Sequence, residues 1–198
     1  PLLNRLVGSF NDAGVRELTV VTGYKADTVN FPGINTAENT DFETTGEVAS
    51  LACSMDALKG ECVVSYGDIM FRSHVLNQLL ECEADIAVVV DANWKQERAE
   101  TTKRTVDLAA CNHAYTGDYF DDEVSELTRL DSAMNEADAN GEWIGLAKFS
   151  AKGSELLRAE LDNMKSDGSL GKASMNDLFN RLIDSGAKPQ VVYITGNW

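Results

Sequence analysis

Within CVVSYGDIMF, residues 62–71, an apolar run stops at Tyr66-Gly67-Asp68 and a helical pattern opens at Ser73. Val63 and Val64 read as a buried strand of a parallel or mixed sheet. Gly67 lets the backbone turn sharply where that strand ends. Asp68 then projects from the strand's carboxyl end, the edge at which open α/β sheets bind ligands. A carboxylate there, in a chain with only 2 histidines, suits a hard cation and a phosphate. Gly-Asp is equally ordinary turn chemistry, and the residues alone leave both roles open. Cys53, Cys62, Cys82 and Cys111 show no zinc spacing. Cys53 and Cys62 fall in expected core elements, and all four read as reduced thiols of a cytoplasmic protein. His74 and His113 stand alone, so a Ser-His-Asp or Cys-His site has no support.

The elements that must position Asp68 follow from periodicity. Leu2, Leu3, Leu6, Val7 and Phe10 share one face of a helix that ends near Gly14. Residues 18–21 form a strand, 24–29 a short helix, and 31–45 an irregular strand and loop. A helix over 50–58 carries Leu51, Met55 and Leu58 on one face. The 62–65 strand, a 73–80 helix and an 86–90 strand follow. This alternation predicts an α/β sandwich with a mainly parallel sheet, in which 18–21, 62–65 and 86–90 are central. Residues 92–141 are polar, with strands expected at 106–108 and 124–130, and read as an excursion over one end of the sheet. The acidic 131–140 stretch is expected to be mobile. A strand over 143–149, helices capped by Ser150 and Ser174, and a strand over 191–194 complete one domain, 1–198.

Hydrophobic residues make up 43% and charged residues 25%, as in ordinary globular chains. The net charge of −15 disfavours nucleic acid and anionic membrane as partners. No apolar run approaches the ~20 residues of a membrane helix, and no signal peptide is visible at the start given.

VVTGYKAD at 20–27, Ser50-Leu51, VVSYGDI at 63–69, GEWIGLAKFS at 141–150 and YITGNW at 193–198 occur in that order. Together with PLLNRL at the start they resemble the nucleotidyltransferases of the GT-A fold. Within these, the chain is most similar to the cytidylyltransferase domain fused to phosphoenolpyruvate mutase in phosphonate biosynthesis. The resemblance is weak between Ala92 and Asn140, and Gly46 stands where relatives often carry Asn. It implies a three-layer Rossmann-like fold with a mixed sheet. The family also has a Gly-rich loop ahead of a segment like Pro1-Leu2-Leu3, and a second metal-binding Asp after one like Gly196-Asn197-Trp198. The expectation is therefore that these residues belong to a longer polypeptide, with a mutase domain as a possible neighbour.

The resemblance implies CMP transfer from CTP to a small phosphonate, 2-hydroxyethylphosphonate or 2-aminoethylphosphonate, with release of pyrophosphate. The acceptor is already an anion, so no general base is needed, and catalysis rests on positioning and charge. Asp68 is the expected Mg²⁺ ligand. Gly23, Tyr24, Ser50 and Gly67 are expected to line the nucleotide site. Arg98, Arg104, Glu142 and Lys148 are expected at the acceptor, with Lys103 also in reach and Trp94, Tyr115 and Tyr119 as an aromatic wall. The alternatives are a sugar-phosphate or phosphocholine nucleotidyltransferase, or a nucleotide-binding module without catalysis.

Overall fold

The computed structural model describes residues 2–97, 105–118 and 120–198, with side chains of residues 96 and 97 left aside. Helix α1 (Leu2–Asp12) buries Leu6 and Phe10, and Gly14 ends it in the left-handed region at φ +90°. Strands β1 (Leu18–Thr22) and β2 (Ile34–Glu38) pair in parallel and form a two-stranded sheet of their own. Helix α2 (Glu47–Ala52) then leads to β3 (Cys62–Ser65), α3 (Ser73–Glu81), β4 (Ile86–Asp91) and the short α4 (Trp94–Glu97). The chain continues through β5 (Leu108–Cys111), β6 (Leu127–Leu130) and β7 (Gly141–Phe149). It ends with α5 (Ala151–Ser166), α6 (Met175–Asp184) and β8 (Gln190–Ile194).

The main sheet has six strands, with the path β6-β5-β7-β4-β8 and β3 also paired to β7. β3, β4, β5 and β8 run in one direction, whereas β6 and β7 run against them. The sheet is thus mixed, as expected, but its centre differs from the expectation. β4 and β7 are buried along their whole lengths, whereas β3 and most of β1 are half-buried, because each pairs on one edge only. Direction cannot be read from an apolar run, so the antiparallel insertion of β7 between β3 and β4 was not visible in the pattern.

Both faces of the sheet are covered, which gives three layers. Val88, Val90, Trp143, Ala147 and Phe149 face α2, α5 and α6. Ala87, Val89, Ile144 and Leu146 face α1 and α3. The period of two along β4 and β7 feeds two cores at once. Each fully buried Leu or Phe in them contributes about 1.5–3 kcal/mol. Helices α5 and α6 start where the capping residues predict. Ser150 Oγ accepts from Gly153 N at 3.1 Å, and Ser174 with Asp177 forms a reciprocal capping box.

Three expectations change here. Residues 108–130 extend the sheet as β5 and β6 instead of covering it. The 131–140 stretch is not loose: Asp131 and Asn135 cap their own turns, Asn140 Oδ1 accepts from Cys111 N at 2.8 Å, and Met134 and Ala139 pack against Trp94, Val106 and Leu108. Local Asx turns and these contacts replace the apolar content the stretch lacks. Cys53 is exposed at the end of α2, while all four thiols are free.

His113 is also less isolated than its sequence position suggests. Its two ring nitrogens lie 2.9 Å from Asp121 Oδ2 and 2.9 Å from Glu123 Oε2, clipping the loop after β5. Ser125 Oγ and Tyr193 OH donate to its carbonyl oxygen rather than to its ring, so no nucleophile faces the imidazole. The hydrogen bond to Asp121 raises the His113 pKa above its ordinary 6.5, against a smaller opposing effect of burial. A raised value means that the fold binds this proton more tightly than the unfolded chain does. The stabilisation is complete below about pH 6.5 and is lost as pH rises through the elevated value. In urea titrations at pH 6 and pH 8.5, His113→Gln is expected to be less stable than the parent at the lower pH and to show a smaller fall between the two.

Candidate active site

β7 carries a bulge that organises the site. Val88 pairs with Ala147 and Val90 with Trp143, so three residues of β7 lie opposite Val89 alone. Gly145, in the middle of the bulge, sits at φ +81°. β3 and β5 occupy the same edge of β7, on either side of the bulge. Tyr66 N donates to Gly145 O at 2.8 Å as β3 leaves, and Trp143 N donates to Asp107 O at 2.8 Å as β5 joins. A crevice opens where one strand ends and another of the same direction begins, the setting in which α/β sheets bind ligands.

The Tyr66 ring lies over Gly145, where any Cβ would overlap it, and tilts against Trp143 with centroids 5.3 Å apart. Its hydroxyl reaches Asp107 Oδ2 at 3.5 Å. Asp107 Oδ1 accepts from Ser132 Oγ at 3.0 Å and from Asn176 Nδ2 at 2.8 Å, which ties the crevice to the start of α6. The carboxylate fixes the orientation of the Asn176 amide, because its nitrogen must face the oxygen. Burial raises the Tyr66 pKa, and the charges of Asp107, Glu47 and Asp68 raise it further, so the phenol stays protonated.

Asp68 follows on the loop 66–72. Its side chain is exposed and pairs with no other described residue. The loop is held at both ends, by Tyr66 N on Gly145 O and by Arg72 N, which donates to Asn197 O at 2.9 Å. Ile69 and Phe71 anchor it in the core beneath α1 and α3. Gly67 lies outside the left-handed region and has open space around it, so its freedom of φ is not used. What it offers is a bare backbone beside Asp68.

The expected nucleotide residues cluster at the ends of β1 and β2. Gly23 packs so closely on the Phe42 ring that a Cβ would overlap it. Tyr24 is exposed and meets Phe42 edge-on at 6.4 Å, with Lys25 Nζ 5.2 Å from the Tyr24 ring centre. Ser50 is not the cap of α2, which begins at Glu47 after Gly46. It lies one turn in, and its Oγ accepts from Asn39 Nδ2 at 3.0 Å. Buried Asn39 also donates to Thr45 Oγ1 at 2.9 Å, and its own N–H donates to Thr22 O at 2.8 Å. Asn39 therefore joins β1, β2 and α2, a long-range role with no local signal in the sequence. Gly46 N donates to Gly171 O at 2.9 Å, and a side chain at Gly46 would press on Ala173 O. The glycine where relatives often carry Asn is set by this close approach.

On the acceptor side the expectations divide. Glu142 is buried at the start of β7, in register with Asp91 and Leu108, at the crevice edge. Lys148 is at the opposite end of β7. Its Nζ donates to Leu80 O at 2.7 Å and Cys82 O at 2.9 Å, closing the end of α3, with Glu61 3.7 Å away. The strand's alternation turns it toward α3 and away from the crevice, so it is a structural cap and not an acceptor ligand. Arg98, Lys103, Arg104 and Tyr119 lie outside the described residues. Trp94 is buried with Val106 and Leu108, and Tyr115 meets Tyr193 at 5.7 Å, so these two do not line one wall.

Among the described residues no cluster of three His, Cys, Asp or Glu side chains could hold a metal ion. Asp91, at the end of β4, is fully buried and accepts three hydrogen bonds at 2.9 Å, from Asn93 N, Gly196 N and Trp198 Nε1. A groove of about 720 Å³ lies apart from Asp68, Tyr66 and Asp107, lined by residues including Met164, Ser169, Lys172 and Arg181. No helix among the described residues is long and apolar enough to cross a membrane.

A three-layer sandwich with a carboxylate at a strand switch defines a Rossmann-like nucleotidyltransferase fold. Solved structures share it. The inositol-1-phosphate CTP transferase of T. maritima superposes with a TM-score of 0.72 at 16% identity, over 97% of this chain and 72% of that one. The CTP:phosphocholine cytidylyltransferase of Streptococcus pneumoniae gives 0.63 at 13% identity, over 100% and 77%. The chain belongs to the MobA-like NTP transferase domain family, whose model matches residues 1–167. It is a nucleotidyltransferase. It is also 25% identical over 218 aligned positions to the CTP:phosphoglutamine cytidylyltransferase of Campylobacter jejuni, spanning 97% of this chain and 79% of that one.

The two glycines of the crevice separate packing from access. Gly145→Ala must displace the Tyr66 ring and adopt a left-handed φ, and is expected to cost about 2–3 kcal/mol in urea denaturation. Gly67→Ala is expected to stay within about 0.5 kcal/mol of the parent.

Proposed function

We propose that this chain catalyses CMP transfer from CTP to a small phosphonate with release of pyrophosphate. The observation that carries this reading is Asp68, an exposed carboxylate without a described partner, on a loop anchored at both ends beside the crevice. The Campylobacter relative and the two solved neighbours, all CTP transferases by name, support CTP as the nucleotide. The phosphonate acceptor comes from the sequence resemblance, which also implies a mutase domain as a possible neighbour in the polypeptide.

In this reading the nucleotide lies between the Gly23–Ser50 side and Asp68. The chemistry at Asp68 fits Mg²⁺, which takes one or two carboxylates and completes its shell with water and phosphate oxygens. Asp91 is not available to it, since both its oxygens are occupied by N–H donors. Bound there, Mg²⁺ would neutralise the triphosphate and the charge that develops on pyrophosphate. An acceptor oxygen attacks the α-phosphorus in line, and the bond from that phosphorus to the bridging oxygen of the β-phosphate breaks. Tyr66, Trp143 and Asp107 form the wall on which the body of the acceptor rests. Arg98 and Arg104 are assigned to its phosphonate. The carboxylates of Asp107 and Glu47 around Tyr66 favour an acceptor with an ammonium group, so 2-aminoethylphosphonate is preferred to 2-hydroxyethylphosphonate.

The test is pyrophosphate release by the intact polypeptide with four NTPs against both phosphonates, phosphocholine and a sugar 1-phosphate. CTP with 2-aminoethylphosphonate is expected to give the highest kcat/KM. Turnover only with the sugar phosphate, or with no nucleotide, would contradict the proposal. Asp68→Asn is expected to lower kcat/KM for CTP about 100-fold or more and to shift the Mg²⁺ requirement upward, because a neutral amide is a poorer ligand. Unchanged rates at limiting Mg²⁺ would remove Asp68 from this role.

A further inference from the structure

The buried carboxylate of Asp91 has no part in the reaction as described, yet it is wired to the loop that carries Asp68. Its Oδ1 accepts from Gly196 N and Asn93 N, and its Oδ2 from Trp198 Nε1, each at 2.9 Å. Those bonds hold the turn after β8 in a demanding shape. Gly196 and Asn197 are both left-handed, at φ +75° and +76°, and for Asn197 that conformation is uncommon and carries a cost. In this turn Asn197 O faces the loop and accepts from Arg72 N at 2.9 Å. Trp198 meanwhile packs on the core that contains Ile69 and Phe71. An unbroken chain of contacts therefore runs from the end of β4, through residues 196–198, to both flanks of the Asp68 loop.

We propose that Asp91 is a positioning residue for Asp68, acting through the Gly196–Trp198 turn. The inference rests on the reading of Asp68 as the Mg²⁺-nucleotide ligand. Charge makes Asp91 specific for the task. An ionised carboxylate is acceptor-only on both oxygens, which three converging N–H donors require. Asn at this position can satisfy Gly196 and Asn93 with its oxygen, but its NH₂ then confronts the Trp198 indole N–H, donor against donor. The turn must shift, Arg72 loses its acceptor, and the loop loses one of its two anchors. Replacing Trp198 by Phe removes the second donor, so the double variant should regain much of the geometry.

The experiment compares Asp91→Asn, Trp198→Phe, the double variant and Asp68→Asn. Hydrogen exchange is followed in the free enzyme without nucleotide or metal, and the half-saturating Mg²⁺ concentration is measured at fixed CTP. In Asp91→Asn, amides of residues 68–72 should exchange at least fivefold faster while those of β4 and β7 keep their protection. Half-saturating Mg²⁺ should rise at least fivefold with the acceptor KM within twofold, and the double variant should recover at least half of both changes on a logarithmic scale. Exchange and Mg²⁺ dependence within twofold of the parent in Asp91→Asn would overturn the inference. So would faster exchange spread evenly over the sheet, or a double variant no better than Asp91→Asn. If Asp91→Asn does not fold, Trp198→Phe decides alone: a threefold rise in loop exchange supports the inference and none overturns it. An impaired Asp68→Asn beside an unaffected Asp91→Asn refutes this inference only, whereas an unaffected Asp68→Asn refutes the Asp68 reading and this inference with it.

Discussion

The site depends on one irregularity, the bulge that Gly145 makes in a strand running against its neighbours. A regular β7 would carry β3 and β5 as a continuous edge and leave no opening between them. With the bulge, the backbone of Tyr66 bonds to Gly145 and that of Asp107 to Trp143. Both side chains are then set toward the same crevice. A glycine is required there twice over, by its positive φ and by the ring that lies on it. The polar network of Tyr66, Asp107, Ser132 and Asn176 extends this constraint to α6. Its groups are mutually satisfied at Asp107, which rigidifies the wall.

Electrostatics shape the same region. A chain with net charge −15 must still admit a triphosphate. Much of the described charge near the crevice is committed: Asp91 to three N–H groups, and Asp107 to a hydroxyl, an amide and the Tyr66 phenol. Asp68 differs in being exposed and without a described partner, which suits a group that must bind a cation and release it.

Much of this was legible where the signal is local. The all-apolar IAVVV of β4, the capping residues Ser150 and Ser174, and the strand-turn pattern that puts Asp68 at a sheet edge all follow from neighbours in sequence. The role of Lys148 was not legible, because a lysine in a strand reads alike whether it meets a ligand or the open carbonyls at the end of α3. Asn39, Asp91 and Asn176 escaped for a related reason: each bonds to residues distant in sequence, and a single chain read without its folding partners gives them no mark. The 131–140 stretch misled in the other direction. Its polar composition suggested loss of order, yet its Asp and Asn side chains are what fold it into turns.

The central claim is that nucleotide and acceptor meet in the crevice between the end of β3 and the start of β5. The most direct measurement is a crystal structure of the intact polypeptide with Mg²⁺ and a non-hydrolysable CTP analogue. The account predicts the α-phosphate beside the Gly67–Asp68 backbone, with the base on the Gly23–Ser50 side and the Tyr66–Asp107 wall open to the acceptor. Nucleotide bound instead in the groove between the 168–173 turn and α6, with the Asp68 loop untouched, would contradict it.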